Sequence, residues 1–359
     1  MGYKILVINP GSTSTKVAFF EEKTCLFVES LNHSANDLAD FDEIPDQLGF
    51  RTQIVLDMIK KHNLNLKELN AIVGRGGLLP FVHAGGYLVN ETMKKRIIDG
   101  PISEHASNLG AIIAEAIASP LNIPAYIYDC VGSDEFKDIA RVTGVPDIKR
   151  ESLCHVLNQK AIGRKVAEKH GKKYSDLNVI VAHLGGGFSV GAHEKGRIVD
   201  CVRDDAGAFS PERSGSVPLL YVIDMCYSGK YTKREMTRKI RGMGGLQALL
   251  NTKDCREVEK MIADGDQYAE LVYHAMAYQA AKSIGEMSTV LEGNIDFIIL
   301  TGGAAYSKLL TGLIAKRVKF MAPVEIVPGE DEMESLALGT LRILKGEETA
   351  AEYIEPQNK

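Results

Sequence analysis

From residue 9 to residue 16 the chain reads Asn-Pro-Gly-Ser-Thr-Ser-Thr-Lys, four consecutive hydroxyls closed by a lysine, with apolar runs on both sides. A plain hairpin needs two turn residues. This wider mouth of hydroxyls and amides suits an anion. "HLGGGFS" at 183–189 and "LTGGAA" at 300–305 share its character: a strand ends, and small residues expose successive backbone N–H groups, which form an anion-binding concavity. The Gly302-Gly303 pair is expected to lead into a helix N-terminus. No GxxxxGK[ST] motif occurs. Any one of these turns alone reads as a plain glycine turn, but three in one chain point to nucleotide binding. Lys16, on the strand leaving the first turn, either reaches a phosphate or is a solvated strand lysine.

The charged candidates stand at similar places. Arg75 lies among glycines in "AIVGRGGLLP", and Arg213 lies in the apolar-poor loop "DDAGAFSPERSGSVP". Two converging arginines can hold a carboxylate or phosphoryl group bidentately; the alternative for each is a surface or ion-paired arginine. Asp129 closes "IPAYIYD", where α/β active sites sit, or else caps the segment after it. In "RESLCHV" Ser152 is a candidate N-cap, which puts His155 in the first turn of a helix, either as a neutral donor or simply as an exposed histidine. His105 and His183 are weaker candidates. Glu330, Asp331, Glu332 and Glu334 crowd the start of the last helix, where they complement its dipole or serve Mg²⁺.

The elements that must position these residues alternate. Strands are expected at 4–9, 16–21, 24–31, 70–74 and 123–129, with helices near 47–63, 91–99 and 106–119. After "GVPDIKRES" the pattern restarts with a helix and then strand, glycine turn, strand, tight turn and strand over 178–202. Aligned on the N-terminal segment, Asn9 faces His183, Gly11 faces Gly185, and a two-residue gap brings "EEK" at 21–23 onto "HEK" at 193–195. Such a match points to an internal duplication in an α/β layered protein, the alternative being a chance resemblance of two hairpins. A long helix is expected over 265–292 with Leu271, Met276, Ala280, Ile284, Met287 and Leu291 buried. A strand at 321–329 and a last helix at 333–345, packed back on the first domain, complete the pattern. No low-complexity linker separates the halves, so they are expected to form a cleft.

The bulk numbers exclude other classes. At 359 residues the chain has room for two cores. A formal net charge of −5 argues against a nucleic-acid footprint, and no apolar run approaches a membrane span. The six cysteines contain no CxxC pair and the nine histidines no HExxH, which argues for reduced, cytoplasmic thiols and against zinc.

In this order, "INPGSTSTK", "VGRGG", "YDCVGSDEF", "HVLNQKA", "AHLGGGFSVGA" and "ILTGGAA" resemble the acetokinase family, and within it the butyrate kinase branch, over nearly the whole chain. The resemblance implies two duplicated ribonuclease-H-like βββαβαβα domains of the actin, Hsp70 and sugar kinase superfamily around an ATP cleft. The expected domains are 1–148, completed by 333–359, and a nucleotide-binding domain over 149–332 with a helical insertion. By position, Asn9, Ser12 and Ser14 match the family's phosphate and metal-side residues. Arg75 and Arg213 match its active-site arginines, His155 the phosphoryl-stabilising histidine, and Asp129 the catalytic aspartate. Glu334 matches the acid associated with magnesium, beside Asn9. His183, Gly185, Gly186, Gly187, Gly302 and Gly303, with Lys16, complete the expected phosphate-binding set.

Departures from the acetate kinase pattern suggest a larger substrate. "HVLNQ" stands for "HGTSH", "HLGGG" for "HLGNG", Cys154 for an aromatic and Gly77 for a valine, the last two opening an expected acyl pocket. The resemblance thus implies reversible transfer from ATP, with Mg²⁺, to butyrate or a related short or branched fatty acid, giving acyl phosphate and ADP. A homo-oligomer, dimer or larger, is expected. The rivals are a sugar or polyol kinase and an actin-like nucleotide switch.

Overall fold

A computed structural model describes residues 2–34, 36–80, 82–100 and 105–355. The ends of the expected first domain, Met1 and residues 356–359, lie outside these. The chain divides into two compact units, Met1–Asp134 with Asp331–Lys359, and Glu135–Glu330. The restart of the pattern predicts a boundary at 148/149. It falls earlier because Glu135 already belongs to the second unit, its carboxylate 2.6 Å from Lys160 Nζ and accepting from Ile198 N at 3.0 Å.

The strands in chain order are β1 (Lys4–Gly11), β2 (Ser14–Glu21), β3 (Thr24–Asn32), β4 (Ala71–Arg75), β5 (Gly86–Leu88), β6 (Ala125–Tyr128), β7 (Asn178–Leu184), β8 (Phe188–Glu194), β9 (Arg197–Val202), β10 (Phe297–Thr301), β11 (Val324–Ile326) and β12 (Ala351–Glu352). The first unit orders its sheet β12-β5-β6-β4-β1-β2-β3, the second β11-β10-β7-β8-β9. Each has an antiparallel β-meander whose first strand also pairs in parallel with a later one, β1 with β4 and β7 with β10. Central strands such as β4, β7 and β10 are buried throughout, as strands covered on both faces must be.

Register makes the duplication concrete. Asn9 pairs with Lys16 and His183 with Ser189, so the paired strands of the two hairpins correspond on either side of the turn. Both β-meanders carry a register shift at the same place, between Phe19 and Phe20 and between Ala192 and His193. The gap is one residue, not two. Lys4 pairs with Glu21 and Asn178 with Glu194, and the left-handed turn residues Glu22 and Lys195 correspond.

The helices follow their capping signals. Asn90 accepts from Met93 N to start Glu91–Asp99, Asp266 caps Gln267–Val290, and Asp331 accepts from Glu334 N to start Glu332–Leu344. On the long helix Met276, Ala280, Ile284 and Met287 are buried, with Leu291 just after it, but Leu271 is exposed. The last helix packs on β1, β4 and β6 of the first unit.

Candidate functional site: the turns after β1 and β7

In the first unit β1 and β4 end side by side, bringing Asn9 and Arg75 together. Asn9 Nδ2 donates to Glu332 Oε2 at 2.7 Å, and Arg75 Nε lies 3.4 Å from Glu332 Oε1. Glu332 therefore bridges the two strand ends from the first turn of the last helix. These residues, with Gly11, Ser14, Lys16 and His105, line a cavity of about 190 Å³. His105 Nδ1 accepts from Ser107 N at 3.1 Å, which fixes its ring at the rim.

Beneath the turn lies Arg51, fully buried on the helix Leu48–Lys61. Its guanidinium donates to Ser12 O (3.3 Å), Ser14 O (2.9 Å), Thr15 Oγ1 (3.1 Å) and Gln47 Oε1 (3.0 Å), all neutral oxygens. Burial lowers its pKa from the ordinary arginine value, yet an arginine stays charged. The turn of hydroxyls thus rests on a buried positive charge. Ser12 is exposed above it, and Lys16 is exposed at the cavity wall.

Asp129 is almost fully buried, with its backbone in the left-handed region (φ 42°). Its Oδ1 accepts from Gly85 N at 2.7 Å, while its carbonyl accepts from Arg75 Nη1 at 3.3 Å.

In the second unit His183 ends β7 as Asn9 ends β1. His183 Nδ1 bonds Asn158 Oδ1 at 2.8 Å, and Nε2 lies 3.5 Å from Glu330 Oε2. Burial, and then the nearby His155, push its pKa well below the ordinary histidine value, so it is neutral. His155 stacks on it with ring centroids 3.8 Å apart and bonds Ser189 Oγ through Nδ1 at 2.8 Å. The glycine turn is tied down by Ser210 Oγ and Glu212 N, which donate to Gly186 O at 2.7 and 3.0 Å. Arg213 Nε donates to Asp204 Oδ2 at 3.1 Å, and Arg241 shares that carboxylate. Gly185, Gly186, Glu212, Lys253, Gly303 and Glu330 help line a cavity of about 930 Å³, ample for a nucleotide.

Comparison with known proteins identifies the lineage. The acetokinase family model matches residues 149–324. Butyrate kinase 2 of Clostridium acetobutylicum is 49% identical over 98% of this chain and 100% of that protein. The chain belongs to the acetokinase family. Acetate kinase from Porphyromonas gingivalis superposes with TM-score 0.80 at 17% identity, over 95% of this chain and 100% of that one. A ROK family protein from Streptococcus pneumoniae does so with TM-score 0.53 at 12% identity, over 96% and 99%. The fold is shared with these solved structures.

Several expected placements differ in the structure. Glu332, not Glu334, reaches Asn9: residues two apart on a helix point about 200° apart, so one acid of the pair turns away. His155 is itself the N-cap of the helix Val156–Lys169, and Ser152 lies outside it, its Oγ 3.9 Å from Cys154 Sγ. Gly302 (φ 91°) is the N-cap of the 3-10 helix Gly303–Tyr306, and Ser307 caps the α-helix Lys308–Val318 that follows, so the glycine pair opens the 3-10 helix and not the α-helix. Gly302 instead exchanges two backbone bonds with Gly329.

At both expected acyl-pocket positions the neighbouring space is taken by the protein's own side chains. A Cβ on Gly77 would stand 1.9 Å from Asn108 Oδ1, which accepts from Leu78 N, so the glycine makes room for Asn108. Cys154 is buried with its thiol against Ser152 and Cys201. Arg51 was legible but unread: with Ile54, Val55, Met58 and Ile59 it occupies the buried stripe of its helix at i, i+3, i+4, i+7 and i+8.

Proposed function

We propose that this protein transfers the γ-phosphoryl group of ATP reversibly to butyrate or a related short or branched fatty acid. It is an ATP-dependent carboxylate kinase. The near-full-length 49% identity to a butyrate kinase supports the choice of acid, and Gly77 and Cys154 do not. A carboxylate oxygen attacks the γ-phosphorus in line; the new O–P bond forms as the bond to the β-phosphate oxygen breaks and ADP leaves. A carboxylate is already ionised at pH 7, so catalysis is positioning plus charge stabilisation.

Arg75, Arg213 and the His155 Nε2–H donate to the oxygens of the transferring group. Asp129 acts through Arg75, holding the strand end that carries it. The second unit, with its larger cavity, serves as the nucleotide-binding domain, using Gly185, Gly186, Gly187, His183, Gly302 and Gly303. In the first unit Ser12, Ser14 and Lys16 meet anionic oxygens over Arg51. The oxygen donors Asn9 Oδ1 and Glu332 fit Mg²⁺, which keeps several waters and takes one or two carboxylates besides phosphate. When bound, Mg²⁺ neutralises phosphate charge.

The helix Leu219–Tyr227 buries none of its nine residues, although Leu219, Leu220, Tyr221 and Ile223 are large and apolar. A second copy of the chain covers this helix in the proposed homo-oligomer. Among the described residues no helix is long and apolar enough to cross a membrane, and the six cysteines are free, in keeping with a cytoplasmic enzyme. Trapping acyl phosphate with hydroxylamine, using ATP and a panel of acids and sugars, tests the function. Hydroxamate is expected with butyrate or isobutyrate above acetate, and none with sugars.

A further inference from the structure

In "HVLNQ" the glutamine four residues after His155 is fully buried and joins the site histidine to the interior of the second unit. Gln159 Nε2 donates to Ser189 Oγ at 3.0 Å, and Gln159 Oε1 meets His193 Nε2 at 3.1 Å. Tyr174 OH lies 2.5 Å from His193 Nδ1. Ser189 Oγ in turn lies 2.8 Å from His155 Nδ1. Ser189, Gln159 and His193 are each fully buried, so their polar atoms must satisfy one another.

We propose that Tyr174, His193, Gln159 and Ser189 form a one-way hydrogen-bond chain that holds His155 as its Nε2–H tautomer, making Gln159 a positioning residue for phosphoryl transfer. The direction follows from donor and acceptor inventory. The Gln159 oxygen only accepts, so His193 carries its proton on Nε2. Burial, and then Lys160 and Arg164, push the His193 pKa well below the ordinary value, so His193 is neutral and its Nδ1 is a lone pair that takes the Tyr174 proton. The Gln159 nitrogen only donates, so Ser189 Oγ accepts from it. Among the described residues the one acceptor within reach of the Ser189 proton is His155 Nδ1. With Nδ1 accepting, His155 carries its proton on Nε2, the donor that the proposed function assigns to the phosphoryl oxygens.

The backbone makes room for this chain. A Cβ on Gly191 would stand 2.3 Å from Gln159 Oε1 and 3.0 Å from His193 Nε2. One on Gly163 would stand 2.7 Å from the Tyr174 ring.

The inference rests on the role given to His155, but its first test does not. Long-range ¹H–¹⁵N spectra of the full-length protein labelled in histidine, with His155 assigned by its loss in His155→Gln, read the tautomer directly. The Nε2–H pattern is expected in the parent protein, and an Nδ1–H pattern overturns the proposal without any variant. Gln159→Glu keeps the shape but accepts on both sides. Ser189 then donates to residue 159, and His155 Nδ1 must donate to Ser189. The His155 pattern should shift, and kcat should fall about tenfold or more with KM for ATP little changed, as when a transition-state donor is misplaced. An unshifted pattern in folded Gln159→Glu, or equal effects on kcat and KM, overturns it. Absence of acyl phosphate with every acid would remove the proposed function while the parent spectrum still decides the chain.

Discussion

Asn9 in the first unit and His183 in the second stand at equivalent places, as do Lys16 and Ser189 across each hairpin, yet the turns between them differ in charge. The first turn rests on Arg51, a buried cation whose four acceptors are neutral. The second faces carboxylates: a Cβ on Gly186 or Gly187 would stand 2.8 Å from Glu212 Oε2 or Asp204 Oδ2. Those acids are themselves held by Lys253, Arg213 and Arg241, and His183 is neutral. Duplication kept the backbone and its N–H groups. Charge came from outside the duplicated strands, from a helix in one unit and the loop 204–213 in the other.

The sharpest way to break the contrast is Arg51→Met, which removes the cation but keeps most of its volume. The buried Gln47 Oε1 loses its donor, and an unsatisfied buried acceptor costs about 1–3 kcal/mol; Ser12 O and Ser14 O, only part-buried, lose the same donor but can be reached by water. Stability should fall by about 1–3 kcal/mol in chemical denaturation, and an unchanged stability would deny the turn its dependence on this charge.

Next come Arg75 and Arg213, one in each unit, which the proposed function assigns to the transferring group. Arg75→Ala and Arg213→Ala should each lower hydroxamate formation by about a hundredfold or more while the fold persists. Near-parent turnover in one of them would confine the chemistry to the other unit's arginine.

Gly77→Val and Cys154→Phe test packing, one in each unit. The space at Gly77 is filled by Asn108, and Cys154 is packed on Ser152 and Cys201, so both variants should lose about 1–3 kcal/mol of stability through overpacking. Butyrate and acetate turnover should fall together. A selective loss on butyrate would restore the pocket reading.

The smallest effect is in acid. His183 and His193 of the second unit have folded pKa values well below the unfolded value of 6.5. The unfolded chain therefore binds protons first, and their contribution, fully present above that pH, is lost as pH falls below it. Each should add a slope of up to about 1.4 kcal/mol per pH unit between about pH 6.5 and 5. His193→Gln should flatten the measured slope by about that amount; an unchanged slope would place the acid sensitivity elsewhere.

Much of this was open to sequence reasoning because it is local. The glycine and hydroxyl turns, the strand ends carrying Asn9, Arg75 and His183, and the caps Asn90, Asp266 and Asp331 follow from backbone sterics, alternation and capping chemistry within a few residues. The duplicated β-meander was legible too, although its gap was misplaced by one residue until strand pairing set the register. Tertiary structure alone decided which acid of the cluster at 330–334 meets Asn9, since that depends on the rotation of the last helix against β1. It also decided that Gly77 serves Asn108 and that Gln159 links His155 to His193. A side chain's type and spacing set what it can donate or accept. Its partner depends on packing between elements far apart in the chain, where a shift of one residue or a turn of about 100° exchanges one neighbour for another.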